Sequence, residues 1–195
     1  DENGNLTSEV YTNGIGNTET HGYLYGDDGL MISQTLENAD GQHSWGYTYD
    51  EEGRLVTETY THPNPHLGWT KTYTYNDDGT LASIAEDSEM YQRMYTYEYG
   101  SDGNLTYEAG TFDGELSYDV TYSYDADGNK TSEVRRNYDV EDGGYREFAH
   151  EYEYNEYGDM VKDTDMRTDM RTGEDGETDT TVTEYTYEYA YFLFD

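Results

Sequence analysis

Three groups of side chains have the type and spacing to do chemistry. Asp125-Ala126-Asp127-Gly128-Asn129 carries the D-x-D-G core of calcium loops, echoed in Asn76-Asp77-Asp78-Gly79 and Gly26-Asp27-Asp28-Gly29. Calcium takes about six to eight oxygens, so Asp125, Asp127 and Asn129 are the metal candidates and calcium is the one cofactor to consider. Against this, a calcium loop closes with a bidentate glutamate, whereas Glu133 should point outward from a strand, and a tight turn by itself explains Asp and Gly. His62-Pro63-Asn64-Pro65-His66 holds two histidines across a stiff loop, but two histidines without a third ligand are not a zinc set. The third group is the 44 Asp and Glu residues. Among so many, two at glycosidase spacing mean little, and a glycosidase also needs one carboxyl raised by burial. No G-x-S-x-G, H-E-x-x-H, phosphate-binding glycine loop or cysteine nucleophile is present. No catalytic residue is assigned, and the chain is expected not to be an enzyme.

What must position these groups is a repeat. The pattern Y-x-Y-[D/N/G]-x-x-G-x-[L/M] marks glycines at Gly4, Gly29, Gly53, Gly79, Gly103, Gly128 and Gly158, at intervals of 25, 24, 26, 24, 25 and 30 residues. Such a period is one supersecondary unit. Tyrosine pairs lead into every copy but the first: Tyr23 and Tyr25, Tyr47 and Tyr49, Tyr73 and Tyr75, Tyr97 and Tyr99, Tyr122 and Tyr124, Tyr152 and Tyr154. The two-residue alternation before each glycine is that of a half-buried strand. Asp or Asn three residues before Gly suits a turn closed by a left-handed residue. Each unit therefore reads as a β-hairpin, and the whole as an all-β antiparallel hairpin array, a meander in a single twisted or rolled sheet with a tyrosine-rich face.

A three-residue loop with a bulge sets Tyr49 opposite Leu55 and Tyr47 opposite Thr57. Strict alternation then puts Tyr47, Tyr49, Leu55 and Thr57 on one packed face, with Ser33, Ser83 and Tyr107 in equivalent places. Thr48, Val56 and Glu58 fall on the other, wet face, with Glu9, Glu108 and Glu133.

These units resemble the YD-repeat, or RHS-repeat, family. Tyr49-Asp50, Tyr124-Asp125, Tyr75-Asn76 and Tyr154-Asn155 match its tyrosine-acid step directly, while Tyr25-Gly26, Tyr99-Gly100 and Lys130 depart from it. The resemblance spans almost the whole chain. It implies a hairpin-repeat fold and an exported surface, adhesive or shell protein, and it implies no activity.

Composition sets further bounds. An unbroken repeat argues for one domain over residues 1–195, closed by a capping strand at 182–194. With 25 Tyr, 4 Phe and 2 Trp, the apolar area is mostly rings whose hydroxyls stay at the margin. A formal charge of −34 excludes nucleic acid as a partner, since phosphates need Lys and Arg, and disfavours anionic membrane surfaces. Cations, cationic proteins and glycans remain. There is no cysteine and no apolar run long enough to span a bilayer. The first residues begin inside a repeat, as at a processing boundary, which is consistent with export to the cell exterior or surface.

The turns should line one edge and length-variable loops the other: Leu36–His43, Tyr60–Trp69, Glu86–Arg93, Ala109–Leu116, Arg136–Arg146 and Thr164–Glu184. Such an edge is where repeat arrays bind, though unconstrained loops also drift. His21, His43, His150, Trp45 and Trp69 are in phase with the tyrosines and read as packed side chains, and Tyr91, Tyr95, Tyr97 and Tyr99 as a cross-strand ladder. The doubled Thr-Asp-Met-Arg at 164–171 should lengthen a hairpin arm without changing its facing, with Phe192-Leu193-Phe194 covering the last strand.

The leading functional reading is a non-enzymatic extracellular or cell-surface binding or adhesion module, with glycans or a cell-surface protein as partner. The alternatives are a structural spacer or part of an RHS-like shell, and, ranked below both, a hydrolase.

Overall fold

The computed structural model describes residues 1–139, 144–172 and 178–189. Among these the protein is all-β, an antiparallel hairpin meander of fourteen strands whose hydrogen-bonded neighbours follow the order of the chain. The chain separates into two compact units, residues 1–94 and 95–195. The first holds β1 (Ser8–Thr12), β2 (Thr18–Tyr25), β3 (Met31–Asn38), β4 (Gly41–Tyr49), β5 (Leu55–Thr61), β6 (Trp69–Tyr75) and β7 (Leu81–Ser88). The boundary falls within β8 (Gln92–Tyr99). The second unit continues with β9 (Leu105–Phe112), β10 (Glu115–Tyr124), β11 (Lys130–Asp139), β12 (Gly144–Tyr154), β13 (Met160–Thr172) and β14 (Thr178–Glu188). The one helical element among the described residues is a single 3-10 turn in the first unit, Pro65–Leu67. No helix among the described residues is long and apolar enough to cross a membrane.

All seven repeat glycines have φ between +78° and +88°, a region that costs a residue with a Cβ and suits glycine. At the Asp50 turn the Asp50 amide donates to the Arg54 carbonyl at 3.0 Å and the Gly53 amide to the Asp50 carbonyl at 3.1 Å. The Asp50 carboxylate accepts from the Glu52 and Arg54 amides. An eighth turn of this kind, Asn13 to Asn17 with Gly16 at φ +85°, joins β1 to β2. Its Asn13 side chain accepts from the Ile15 and Asn17 amides, so it carries the same signature, although it lies off the repeat interval.

The register differs from the expected one. Tyr49 does face Leu55, but Thr48 faces Thr57 and Tyr47 faces Glu58. The cause is one extra residue, Val56, a bulge just inside the return strand. It recurs before Tyr25, Tyr75, Tyr124 and Tyr154. One inserted residue exchanges the faces of everything beyond it. Ser33, Thr57, Ser83 and Tyr107 therefore lie opposite Leu24, Thr48, Thr74 and Thr121, away from the paired tyrosines. Glu9, Glu58, Glu108 and Glu133 join the ring face, opposite His21, Tyr47, Val120 and Tyr122.

The ring face is also less packed than expected. Its paired tyrosines are half-buried, and in residues 1–94 Glu86 is the one buried residue among those described. In the second unit Val120 is 1% exposed.

Most expected loops are strand. β3 and β4 are joined by Ala39-Asp40, and β9 and β10 by Asp113-Gly114 at φ +50° and +84°. That is the two-residue hairpin turn an Asp-Gly step favours. Of the longer connections, 62–68 is a loop, while 140–143 and 173–177 lie outside the described residues. Among the described residues, length variation is thus taken up in strand length, except at the loop 62–68. The duplicated Thr-Asp-Met-Arg extends β13 to 13 residues, paired in unbroken register with β14. The capping strand is present to Glu188, and Phe192-Leu193-Phe194 lies outside the described residues.

Candidate functional site

The ring face carries most of the chemistry, and the two positions of the tyrosine pair have different duties on it where their hydrogen bonds are seen. The second reaches back to the preceding repeat and donates its hydroxyl to the backbone carbonyl that opens the earlier return strand. Tyr49 reaches Met31, Tyr75 reaches Leu55 and Tyr154 reaches Lys130, each at 2.8 Å. The first tyrosine lies among carboxylates. Tyr73 donates to Glu58 at 3.0 Å and Tyr23 to Glu9 at 2.7 Å. Burial and then the Glu58 hydrogen bond push the Tyr73 phenol far above its ordinary range. Burial, then Glu108 and Glu133, push Tyr122 up to about 12. Such phenols stay neutral and keep donating.

Across β4, β5 and β6 runs an aromatic row. Trp45 stacks on Tyr60 at 4.9 Å between ring centroids, and Tyr60 lies 5.6 Å from Trp69. Direct cross-strand pairing puts them there. The His43 Nδ1 is 2.7 Å from the Tyr60 hydroxyl. These rings form a cross-strand ladder, as the expected packing of His43, Trp45 and Trp69 requires, and His21 and His150 stack beside Tyr23 and Tyr152.

Several of the basic residues settle onto rings beside acids. Lys71 lies 4.3 Å over Trp69 and 3.9 Å from Glu86, which is 7% exposed and accepts from Tyr91 at 2.6 Å. Arg54 lies 4.6 Å over Tyr75 and pairs with Asp50 at 2.7 Å. Lys130 stands where the repeat has a leucine. It lies 5.2 Å over Tyr152 and 2.5 Å from Glu133.

The calcium candidates sit in an ordinary turn. One Asp125 oxygen accepts from the Asp127 and Asn129 amides at 2.9 Å, and the other accepts from the Asn129 side chain at 3.0 Å. The Asn129 side chain and amide are what hold the Asp125 carboxyl below its usual range. Asp125 and Asn129 are thereby engaged with each other, and no cluster of three or more metal-ligating side chains occurs among the described residues. The two loop histidines go to different partners. His62 packs edge-on to His43 at 4.9 Å, whereas His66 meets Glu89 at 2.5 Å.

The register also assembles a group on the opposite face of the second unit that the sequence reading missed. Asp119, 5% exposed, accepts from Tyr138 at 2.5 Å and lies 3.5 Å from Arg136, which pairs with Glu147 at 2.8 Å. Burial and then the Asp119 hydrogen bond push the Tyr138 phenol up to about 12. No spacing in the sequence announces this group, because its members come from β10, β11 and β12.

Fold and site together define an all-β array of tyrosine-paired hairpins. No protein-family model matches the sequence, and no curated protein matches it. Among solved structures the chain is similar to TcdB2-TccC3 without its hypervariable C-terminal region, with 14% identity over 84% of this chain and a TM-score of 0.44. It is also similar to TcdB2-TccC3, with 12% identity over 93% and a TM-score of 0.43. The chain spans 10% and 15% of those two proteins. A porin-like protein from Bacteroides uniformis is 14% identical over 92% of both chains, with a TM-score of 0.35.

Proposed function

We propose that the chain is a structural module, a length of exported, RHS-like tyrosine-repeat sheet that acts without catalysis and without a bound cofactor. The observation that carries this reading is the inter-repeat tyrosine hydroxyl. A tyrosine that every copy but the first keeps is used, at Tyr49, Tyr75 and Tyr154, to tie one hairpin to the backbone of the hairpin before it. A residue repeated for ligand contact would instead leave its hydroxyl to solvent.

A second reading has one observation in its favour. The half-buried row of Trp45, Tyr60 and Trp69 offers ring area on which a sugar could stack, which would make the module an adhesive one for glycans. A printed glycan array probed with the labelled chain separates the two. The structural role expects no saturable signal. A signal that disappears in Trp69→Leu while the melting temperature holds would replace it with the adhesive one.

A further inference from the structure

From Arg54 onward the ring face supplies its own cations, and three of them are each set over a ring and next to a carboxylate. Arg54 has Tyr75 and Asp50, Lys71 has Trp69 and Glu86, and Lys130 has Tyr152 and Glu133. The arrangement is physically sound. A ring face attracts a cation through its quadrupole, and the adjacent acid adds charge attraction.

Across β1 to β4 the rings and acids are there and the cations are not. Residues 1–53 contain eleven Asp and Glu and no Lys or Arg. On this stretch Glu9 faces His21 and accepts from Tyr23, while Tyr11 faces Glu19. Cross-strand partners share a face and alternate residues return to it, so Glu9, Tyr11, Glu19, His21 and Tyr23 form one contiguous patch. Tyr11 is 61% exposed. The ring is open to solvent and a carboxylate stands beside it.

We propose that this patch on β1 and β2 docks a basic polypeptide segment, whose Lys or Arg side chains take over Tyr11 and Tyr23 the places that Lys71 and Arg54 take over Trp69 and Tyr75. Charge complementarity selects the partner. An arginine suits it best, because its planar guanidinium stacks on a ring while its donors reach a carboxylate. The site does not depend on the structural role proposed above, since a sheet module and a binding module could both carry it.

The test is fluorescence anisotropy of the intact chain with a labelled peptide alternating arginine and serine, at physiological ionic strength, beside a glutamate-serine control. Saturable binding of the arginine peptide alone is expected. Tyr11→Ser and Glu9→Gln should each weaken it by about three- to fivefold. Glu37→Gln should leave it unchanged, because Glu37 pairs with Thr20 and lies on the opposite face. Glu9→Gln keeps an acceptor for Tyr23, so it reads out the patch even if Tyr11→Ser unfolds the edge strand. Two outcomes overturn the proposal: no binding at that ionic strength, or equal weakening by Glu9→Gln and Glu37→Gln, which marks attraction to the chain's overall charge.

Discussion

The face turned away from the paired tyrosines is built differently in the two units. In residues 1–94 it is a ladder of hydroxyls, with Thr48 2.6 Å from Thr57 and Thr74 2.7 Å from Ser83. In residues 95–195 the corresponding face holds Asp119, Arg136, Tyr138 and Glu147 in one hydrogen-bonded group. The ring face, by contrast, repeats the same tyrosine tie in both units. The difference follows from the motif. Y-x-Y-[D/N/G]-x-x-G-x-[L/M] specifies alternate residues, and alternate residues of a strand share a face. One face is held constant by the repeat, and the other is free to diverge.

The sharpest way to break that comparison is at Asp119. Replacing it with Ala leaves the half-buried Tyr138 hydroxyl without its acceptor and removes one partner of Arg136, a change that should cost about 2–3 kcal/mol. Thr57→Val, on the same face of the first unit, removes a half-exposed hydroxyl pair and should stay within about 0.5 kcal/mol. Urea unfolding of the two variants measures both. Equal costs would mean that the buried group is no more than another surface contact.

The tyrosine tie should behave alike in both units. Tyr75→Phe and Tyr154→Phe each delete one hydrogen bond to a backbone carbonyl and keep the ring, so each should lower stability by about 1 kcal/mol. Tyr157 is 69% exposed at the tip of a turn, and Tyr157→Phe is the silent control. A loss at one tie but not the other would show that the ring face, too, has diverged.

How far these features could be read in advance depends on where their information lies. The turn glycines were legible because a left-handed residue preceded by Asp or Asn is a local requirement, met within five residues. The in-phase histidines and tryptophans were legible because β4, β6 and β12 have no bulge ahead of them. The faces of the return strands were not. Val56 looks like any other strand residue, and its bulge is visible only once two strands are paired. The Asp113-Gly114 turn carried its signal in plain view, but the polar residues around it read as loop although their alternation runs on. Asp119, Arg136 and Glu147 are cross-strand neighbours across three strands, so their meeting depends on two registers at once.

The smallest effect concerns the turns, where the two units should again agree. Hydrogen bonds from the Thr80 side chain and amide hold the Asp78 carboxyl below its ordinary value, and those from the Asn129 side chain and amide do the same for Asp125. A carboxylate whose value is lowered by folding adds stability that is fully present above the unfolded value of about 3.9 and is lost as the pH falls through the lower folded value. The acid limb of the unfolding curve, between about pH 4 and pH 2, should therefore contain a share from each such turn. Asn155 caps an equivalent turn with an uncharged acceptor, taking the Tyr157 and Asp159 amides at 2.9 and 3.0 Å. Asp125→Asn should thus preserve the turn at neutral pH and flatten the acid limb, and Asp78→Asn should do so to a similar degree in the first unit. Thermal melts across that pH range test the pair. If both variants lost stability as steeply as the parent chain, the turn carboxylates would have no part in its acid sensitivity.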